Sequence, residues 1–353
     1  MSTEILILKT GALGDVLRTT SILEGLHARY PEARVTWLTA PGAADLVQHH
    51  PRVERVVTVA PKDAAAVEAL ARELASVEWD RVLSLDDEEP LCRAAGALAG
   101  GREGVLSGAY LDESGERRYT PDVAEWFDMG LLSVHGKEEA DRRKVANEKS
   151  HARIYADMFG IEMGRPELPL PDAAIGFAEG LALRTSMHVH GPAIGLNTGS
   201  GGRWESKKLS VERVVELVGL LNEGLGGKVS FVVLGGPDEV ERNAEIVGAL
   251  KKKRWGPRIV DGGCKNSMLN FAAIVDRLDL LVTSDSLALH LAVARGVPVV
   301  AFFAPTSAAE IELYGKGEKV VSTAPDYCSY RRDADTSTLT ADKIAAAVLR
   351  QLR

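Results

Sequence analysis

The sequence predicts an α/β protein made of two doubly wound halves, each a mainly parallel sheet sandwiched by helices. Three observations carry that prediction. Short aliphatic and β-branched runs alternate with helical periods along most of the 353 residues, the order expected of βαβ crossovers. A Pro-rich stretch, Arg165 to Ala174, interrupts the alternation near the middle. The pattern then restarts, and the halves open alike, with ILILKTGALGD in the first and AIGLNTGSGGR in the second. The expected domains are 1–172 and 173–335, their sheets facing each other across a cleft, with a last helix within 336–353 free to pack back on the N-terminal domain.

The elements follow in order. Glu4 to Lys9 reads as a buried strand and Thr10 to Gly14 as a turn. Asp15 to Tyr30 carries Val16, Leu23, Leu26 and Tyr30 at helical spacing, with Pro31 as its stop. Arg34 to Thr39, Val53 to Val59 and Arg81 to Leu85 are the next strands, with a helix over Lys62 to Ala75. Regularity fails between about Gly100 and Ser150, where Gly, charge and isolated aromatics mix; an active-site insertion and a plain surface excursion fit equally. His151 to Gly160 is helical, and Arg165 to Ala174 is an extended linker. Beyond it, strands are expected at Pro192–Asn197, Lys228–Leu234, Arg258–Val260, Leu278–Thr283 and Val297–Phe303. Helices are expected over Ser210–Glu223, from Asp238, over Ser267–Arg277, from Ser286 and over Thr340–Arg353.

Composition narrows the class. An apolar share of 45% with 26% charged residues is enough to build a sizeable core in a soluble chain. The net charge of -8 gives no global nucleic-acid footprint, although a local cationic site can sit on an acidic protein. Cys92, Cys264 and Cys328 lie far apart without CxxC pairing, which argues against a disulfide scaffold or a cysteine zinc site and for a reducing cytoplasm. The longest apolar run, Val297 to Ala304, is far short of the roughly 20 residues of a spanning helix. Glu4 and the short apolar stretch after it do not make a signal peptide, so the mature chain is expected to start where the sequence does.

Four strand-to-helix turns could carry chemistry. In the first, Gly11 and Gly14 allow a tight turn and Asp15 opens a helix. A carboxylate there repels a phosphate but suits removal of a proton from a neutral hydroxyl; it also simply complements the helix dipole, which favours its ionised form. In the second, Asn197 to Lys208 (NTGSGGRWESKK) offers backbone N–H groups, hydroxyls and two lysines, a setting for phosphate oxygens or merely a solvated loop. The third, Thr283 to His290, delivers Ser284, Asp285 and Ser286 to a helix start with His290 one turn in, where a diphosphate or an ordinary N-cap would fit. In the fourth, Leu234 to Glu239, the acids after Gly236 could accept ribose hydroxyls or only start a helix. Asp86 and Asp87 follow a strand and could line the cleft. Neither Asp333-Ala-Asp335 nor His49-His50 has the context of a metal site, and Lys251 to Arg254 reads as favourable charge at a helix C-terminus.

Taken together, these motifs resemble glycosyltransferase family 9, the ADP-heptose:lipopolysaccharide heptosyltransferases. The opening ILILKTGALGDVLRTTSILEGLHARYPEARVTWLT, then GRWESKKLS, FVVLGGPDEVE and SDSLALHLAVARGVPVVAFFAPT are collinear with the family's motifs, and the match is weakest over about 100–170. The resemblance implies the GT-B architecture and an inverting transfer without metal or cofactor. It places the catalytic base on Asp15, with Gly11, Gly14 and Arg18 on the acceptor side. It places the donor near Thr198, Gly199, Ser200, Lys207, Gly236, Glu239, Asp285, Ser286, Leu287 and His290, with its diphosphate at Lys207 and the backbone of Asp285 to Leu287 and the Thr198 hydroxyl beside the phosphates. The implied partners are a nucleotide sugar, ADP-heptose above all, and a lipopolysaccharide-type glycan; nucleic acid is not among them. The implied location is cytoplasmic, with peripheral contact at the inner face of the membrane open. Leu287 stands where the family usually has Gly, and the family's Cys-rich end is reduced to Cys328. A nucleotide-sugar epimerase and a non-catalytic nucleotide-sugar-binding protein are the alternatives on the same fold.

Overall fold

The computed structural model describes residues 2–202, 204–253 and 258–353. The chain divides into two compact units, Met1–Pro169 and Leu170–Arg353.

The N-terminal unit is built on β1 (Thr3–Leu8), β2 (Ala33–Thr39), β3 (Arg55–Thr58), β4 (Arg81–Ser84), β5 (Leu106–Leu111) and β6 (Arg117–Tyr119). Their order is β3-β2-β1-β4-β5-β6, parallel throughout except for the antiparallel pair β5–β6. The helices are α1 (Leu13–Thr19), α2 (Ile22–Arg29), α3 (Ala64–Leu74), α4 (Glu89–Ala99), α5 (Ala124–Phe127), α6 (Lys137–Ala146) and α7 (His151–Phe159). Both faces of β1 are covered: Leu6 and Leu8 join the cluster under α3 and α4 with Trp79 and Leu91, while Ile5 and Ile7 are equally buried. Each such aliphatic side chain contributes about 1.5–3 kcal/mol through loss of contact with water, which is why a parallel strand reads as continuous hydrophobicity rather than alternation.

Two sequence expectations change here. The single helix over Asp15–Tyr30 is two, because the Thr19 and Thr20 hydroxyls bond back to the Asp15 and Leu17 carbonyls, each at 2.7 Å, and compete with the helical ladder at the join. The stretch over 100–150, read as irregular, contributes β5 and β6 to the sheet and two helices, α5 and α6. Its hairpin is short, and α6 is polar nearly all round, so neither leaves a strong periodic signal.

The C-terminal unit repeats the plan. Its strands are β7 (Ala193–Asn197), β8 (Ser230–Leu234), β9 (Arg258–Asp261), β10 (Leu280–Ser284), β11 (Val299–Phe303) and β12 (Gly317–Val321), all parallel in the order β12-β11-β10-β7-β8-β9. Its helices are α8 (Asp172–Thr185), α9 (Val211–Gly224), α10 (Val240–Lys252), α11 (Met268–Asp276), α12 (Leu287–Arg295) and α13 (Ala341–Gln351). Asp172 to Ala174, expected to be extended, already belong to α8, with Pro171 as its N-cap. The edge strand β12 (GEKVV) escapes a sequence reading because charge on an exposed edge is how sheets avoid further pairing. Helix α13 does not need the N-terminal domain for its apolar stripe: Ile344, Ala345, Ala347 and Val348 are buried with Leu217, Leu221 and Val320 of its own unit.

Both sheets share one doubly wound order, and in each the direction of winding reverses between two neighbouring strands. These switch points are β1/β4 and β7/β10. Ligands of such folds gather at the carboxyl ends of strands at that position.

Candidate functional site

At the N-terminal switch point, β1 runs into Lys9 and β4 into Asp86. The Asp86 carboxylate receives the Lys9 ammonium, the Thr10 N–H and the Thr10 hydroxyl, the last at 2.6 Å. All three residues are buried. Burial opposes the charge on Lys9, but Asp86, then Asp15 and Tyr155, outweigh it and hold the ammonium above the ordinary lysine range. The turn after Thr10 leads to Asp15 in the first turn of α1, partly exposed and paired with Arg18 at 2.9 Å. The Arg18 guanidinium lies 5.4 Å from the centre of the Trp126 ring, which in turn meets His151 and Tyr155 edge-on at 5.0 and 5.6 Å. Gly11 has no left-handed φ, and a Cβ there would meet nothing within 4 Å, so what that glycine leaves is open space beside the turn.

At the C-terminal switch point, β7 ends in Asn197, whose amide donates to the Gly199 carbonyl (2.8 Å) and to the hydroxyls of Thr283 (3.1 Å) and Ser286 (3.2 Å). This ties the loop after β7 to the start of α12, where Ser286 is the N-cap and Leu287 the first helical residue, half-buried. Lys207 donates to both the side-chain and main-chain oxygens of Asp285, and His290 lies 3.7 Å from the same carboxylate. Burial would push Asp285 up, but Lys207 and His290 outweigh it and hold the carboxyl far below its usual range. On the other side of the loop, the buried Glu239 accepts from Gly201 N–H (3.1 Å) and Gly236 N–H (2.8 Å), and Asp238 from Gly202 N–H (3.0 Å). Thr198 is buried and donates to Asn243, while Ser200 donates to the Trp204 carbonyl.

The fold therefore collects the expected residues into two groups. Asp15, Gly11, Gly14 and Arg18 share the N-terminal unit's switch point. Thr198, Gly199, Ser200, Lys207, Gly236, Glu239, Asp285, Ser286, Leu287 and His290 gather around that of the C-terminal unit. Arg203 and Arg254, part of the motifs read above, lie outside the described residues. Asp333 is ion-paired to Arg331, and Asp335 accepts from Ser337 N–H, so both carboxylates are committed locally. Among the described residues no cluster of three or more His, Cys, Asp or Glu could hold a metal, and no helix is long and apolar enough to cross a membrane.

Sequence reasoning missed Lys9, Trp126, Tyr155 and Arg242. Lys9 left a signal, a lysine closing an otherwise aliphatic strand. Arg242 left none. It donates to the carbonyls of Thr198 (3.2 Å) and Leu209, the two ends of the glycine-rich loop.

Two Rossmann-like units, each with polar groups at its switch point, form the architecture of a GT-B glycosyltransferase, and this chain is one. A family model described as glycosyltransferase family 9 (heptosyltransferase) matches residues 159–341, and the chain belongs to that family. It is 24% identical over 327 residues to lipopolysaccharide heptosyltransferase 1 of Escherichia coli strain K12, covering 90% of this chain and 92% of that one. In fold it is similar to a family 9 glycosyltransferase from Veillonella parvula, with a TM-score of 0.77 at 19% identity over 100% of this chain and 98% of that one. It is also similar to an Escherichia coli heptosyltransferase crystallised with ADP-2-deoxy-2-fluoro heptose, with a TM-score of 0.61 at 19% identity over 99% of each.

Proposed function

We propose that this glycosyltransferase moves a heptose-type sugar from ADP-heptose to a lipopolysaccharide-core acceptor, with inversion and without a metal ion. In this reading the N-terminal domain receives the acceptor and the C-terminal domain the nucleotide sugar. The observation that carries it is the division of charge: a partly exposed carboxylate, Asp15, at one switch point, and Lys207 with the start of α12 at the other. The acceptor oxygen attacks the anomeric carbon from the face opposite the diphosphate, and its proton passes to Asp15. The bond from the anomeric carbon to the phosphate oxygen breaks, and its electron pair leaves with ADP. Lys207, the N–H groups opening α12 and the Ser286 hydroxyl balance the charge that develops on the departing diphosphate, beside Thr198. Relatives named for lipopolysaccharide and a ligand named for ADP-heptose chemistry support the choice of acceptor and donor. Such an acceptor is held in a membrane, so the protein would meet it by peripheral contact at the cytoplasmic face. The test is Asp15→Asn, expected to abolish transfer while ADP still raises the melting temperature. Wild-type turnover in that variant rules out the assigned base, and loss of turnover in EDTA rules out the metal-free step.

A further inference from the structure

The N-terminal switch point buries an ion pair for which the transfer step above has no use. Lys9 and Asp86 are each less than a tenth exposed, and taking two such charges out of water costs several kcal/mol per ion. Stapling a strand end does not require that cost. The corresponding position of the second half, Asn197, makes the equivalent connections to the neighbouring strand with a neutral amide. Thr10 and Thr198 follow in the same register of the repeated opening, so the two halves differ mainly in the charge.

What faces Lys9 accounts for the difference. Asp86 and Glu88 approach from the segment after β4, Asp15 from α1 and Tyr155 from α7. Asp15 in turn faces Lys9, its own-helix partner Arg18 and Tyr155. Asp86 is bonded to three donors of the Lys9–Thr10 corner, and Lys9 also reaches the Leu85 carbonyl at 3.4 Å. The corner that aims Asp15 is thus fixed by a pair whose charges cancel.

We propose that Lys9 and Asp86 are a positioning pair that sets the proton affinity of Asp15, the ammonium keeping it ionised and the carboxylate restoring its strength as a base. The proposal rests on the reading of Asp15 as the base. Asp86→Asn leaves the ammonium uncancelled and weakens the base. Lys9→Met leaves a second carboxylate and strengthens it. The double variant Lys9→Met/Asp86→Asn removes both charges.

The experiment is the pH profile of kcat/KM for transfer from ADP-heptose to a lipopolysaccharide-core acceptor, with the ADP-induced rise in melting temperature reporting an intact donor unit. The acid limb is expected to move down by about one pH unit in Asp86→Asn and up by a similar amount in Lys9→Met. In the double variant it is expected to return to the wild-type position. A purely structural pair would lower activity without moving the limb. Limbs coincident with wild type, or displaced in the same direction in both single variants, overturn the pair's role. If one single variant does not fold, the other decides: a limb displaced in its expected direction supports the proposal, and a limb coincident with wild type overturns it. Asp15→Asn separates the two readings. If it is inactive while the limbs coincide, only the pair fails; if it turns over normally, the base and the pair fail together.

Discussion

The Lys207 ammonium stands 2.8 Å from both the carboxylate and the main-chain carbonyl oxygen of Asp285. The cation assigned to the diphosphate is therefore already held by an anion, and the donor must share it. This arrangement fixes the lysine before the donor arrives, so little of the binding energy is spent on ordering a long side chain. Lys207→Ala removes a charge-assisted contact of about 1.5–3 kcal/mol. ADP affinity is expected to fall by roughly 10- to 100-fold on that arithmetic, as measured by titration calorimetry. An unchanged affinity would mean that the lysine serves only Asp285.

Gly199 is required for a different reason. A Cβ there would come within 2.1 Å of the Glu239 side chain, the group that holds Gly201 N–H and Gly236 N–H. Gly199→Ala must push that carboxylate off its donors and loosen the loop. A loss of about 1–3 kcal/mol in unfolding free energy is expected for overpacking at a buried site, together with weaker ADP binding. Denaturant titration with and without ADP separates the two effects. Retention of both stability and ADP affinity would show that the loop can relax around the methyl group.

How much of this was legible beforehand depends on the kind of residue. The strands that a parallel sheet buries on both faces, such as β1, β8 and β10, announce themselves as aliphatic runs, and the glycine-rich turns after β7 and β8 mark their carboxyl ends. Asp15, Lys207 and Asp285 could be singled out because each opens or precedes a helix at such an end. The edge strands β6 and β12 could not, since edges carry charge. Neither could the contacts of Trp126, which arise from the packing of α7 and α5 rather than from any local period. Arg242 was equally hidden, because its partners are main-chain carbonyls far away in sequence.

His50 gives the N-terminal unit a pH dependence unrelated to transfer. It is buried, and its Nδ1 accepts from Arg52 N–H at 3.1 Å, which suits a neutral ring. Burial, reinforced by Arg52 and His27 and only partly opposed by Glu167, pushes its pKa down to about 4. The unfolded chain binds the proton at about 6.5, so between those values the unfolded state holds more protons and stability rises with pH. The contribution is present above about pH 6.5 and is lost as pH falls toward the folded-state value. It amounts to something on the order of 2–3 kcal/mol. Denaturant titrations at a series of pH values are expected to show a slope over that window that His50→Gln flattens. The same slope in wild type and variant would assign it to other groups.

Arg242 offers the sharpest separation between holding a loop and touching a ligand. Its guanidinium spans the carbonyls of Thr198 and Leu209, and burial lowers its pKa despite several glutamates around it. A planar fork can bond two carbonyls at once, whereas an ammonium on a flexible stem is a single point. Arg242→Lys therefore keeps the positive charge but releases one end of the loop. If the charge itself served the diphosphate, the variant would behave as wild type. If the fork serves the loop, donor KM rises by about 5- to 10-fold, the equivalent of one lost hydrogen bond of about 1 kcal/mol. On this account kcat at saturating donor stays within about twofold, because Lys207 and the opening of α12 are untouched once the loop has closed on the donor. Arg242→Met should raise KM at least as far, since it leaves both carbonyls without a donor. A lysine variant with normal KM, or a methionine variant that loses kcat instead, would show that the arginine acts on the donor by its charge.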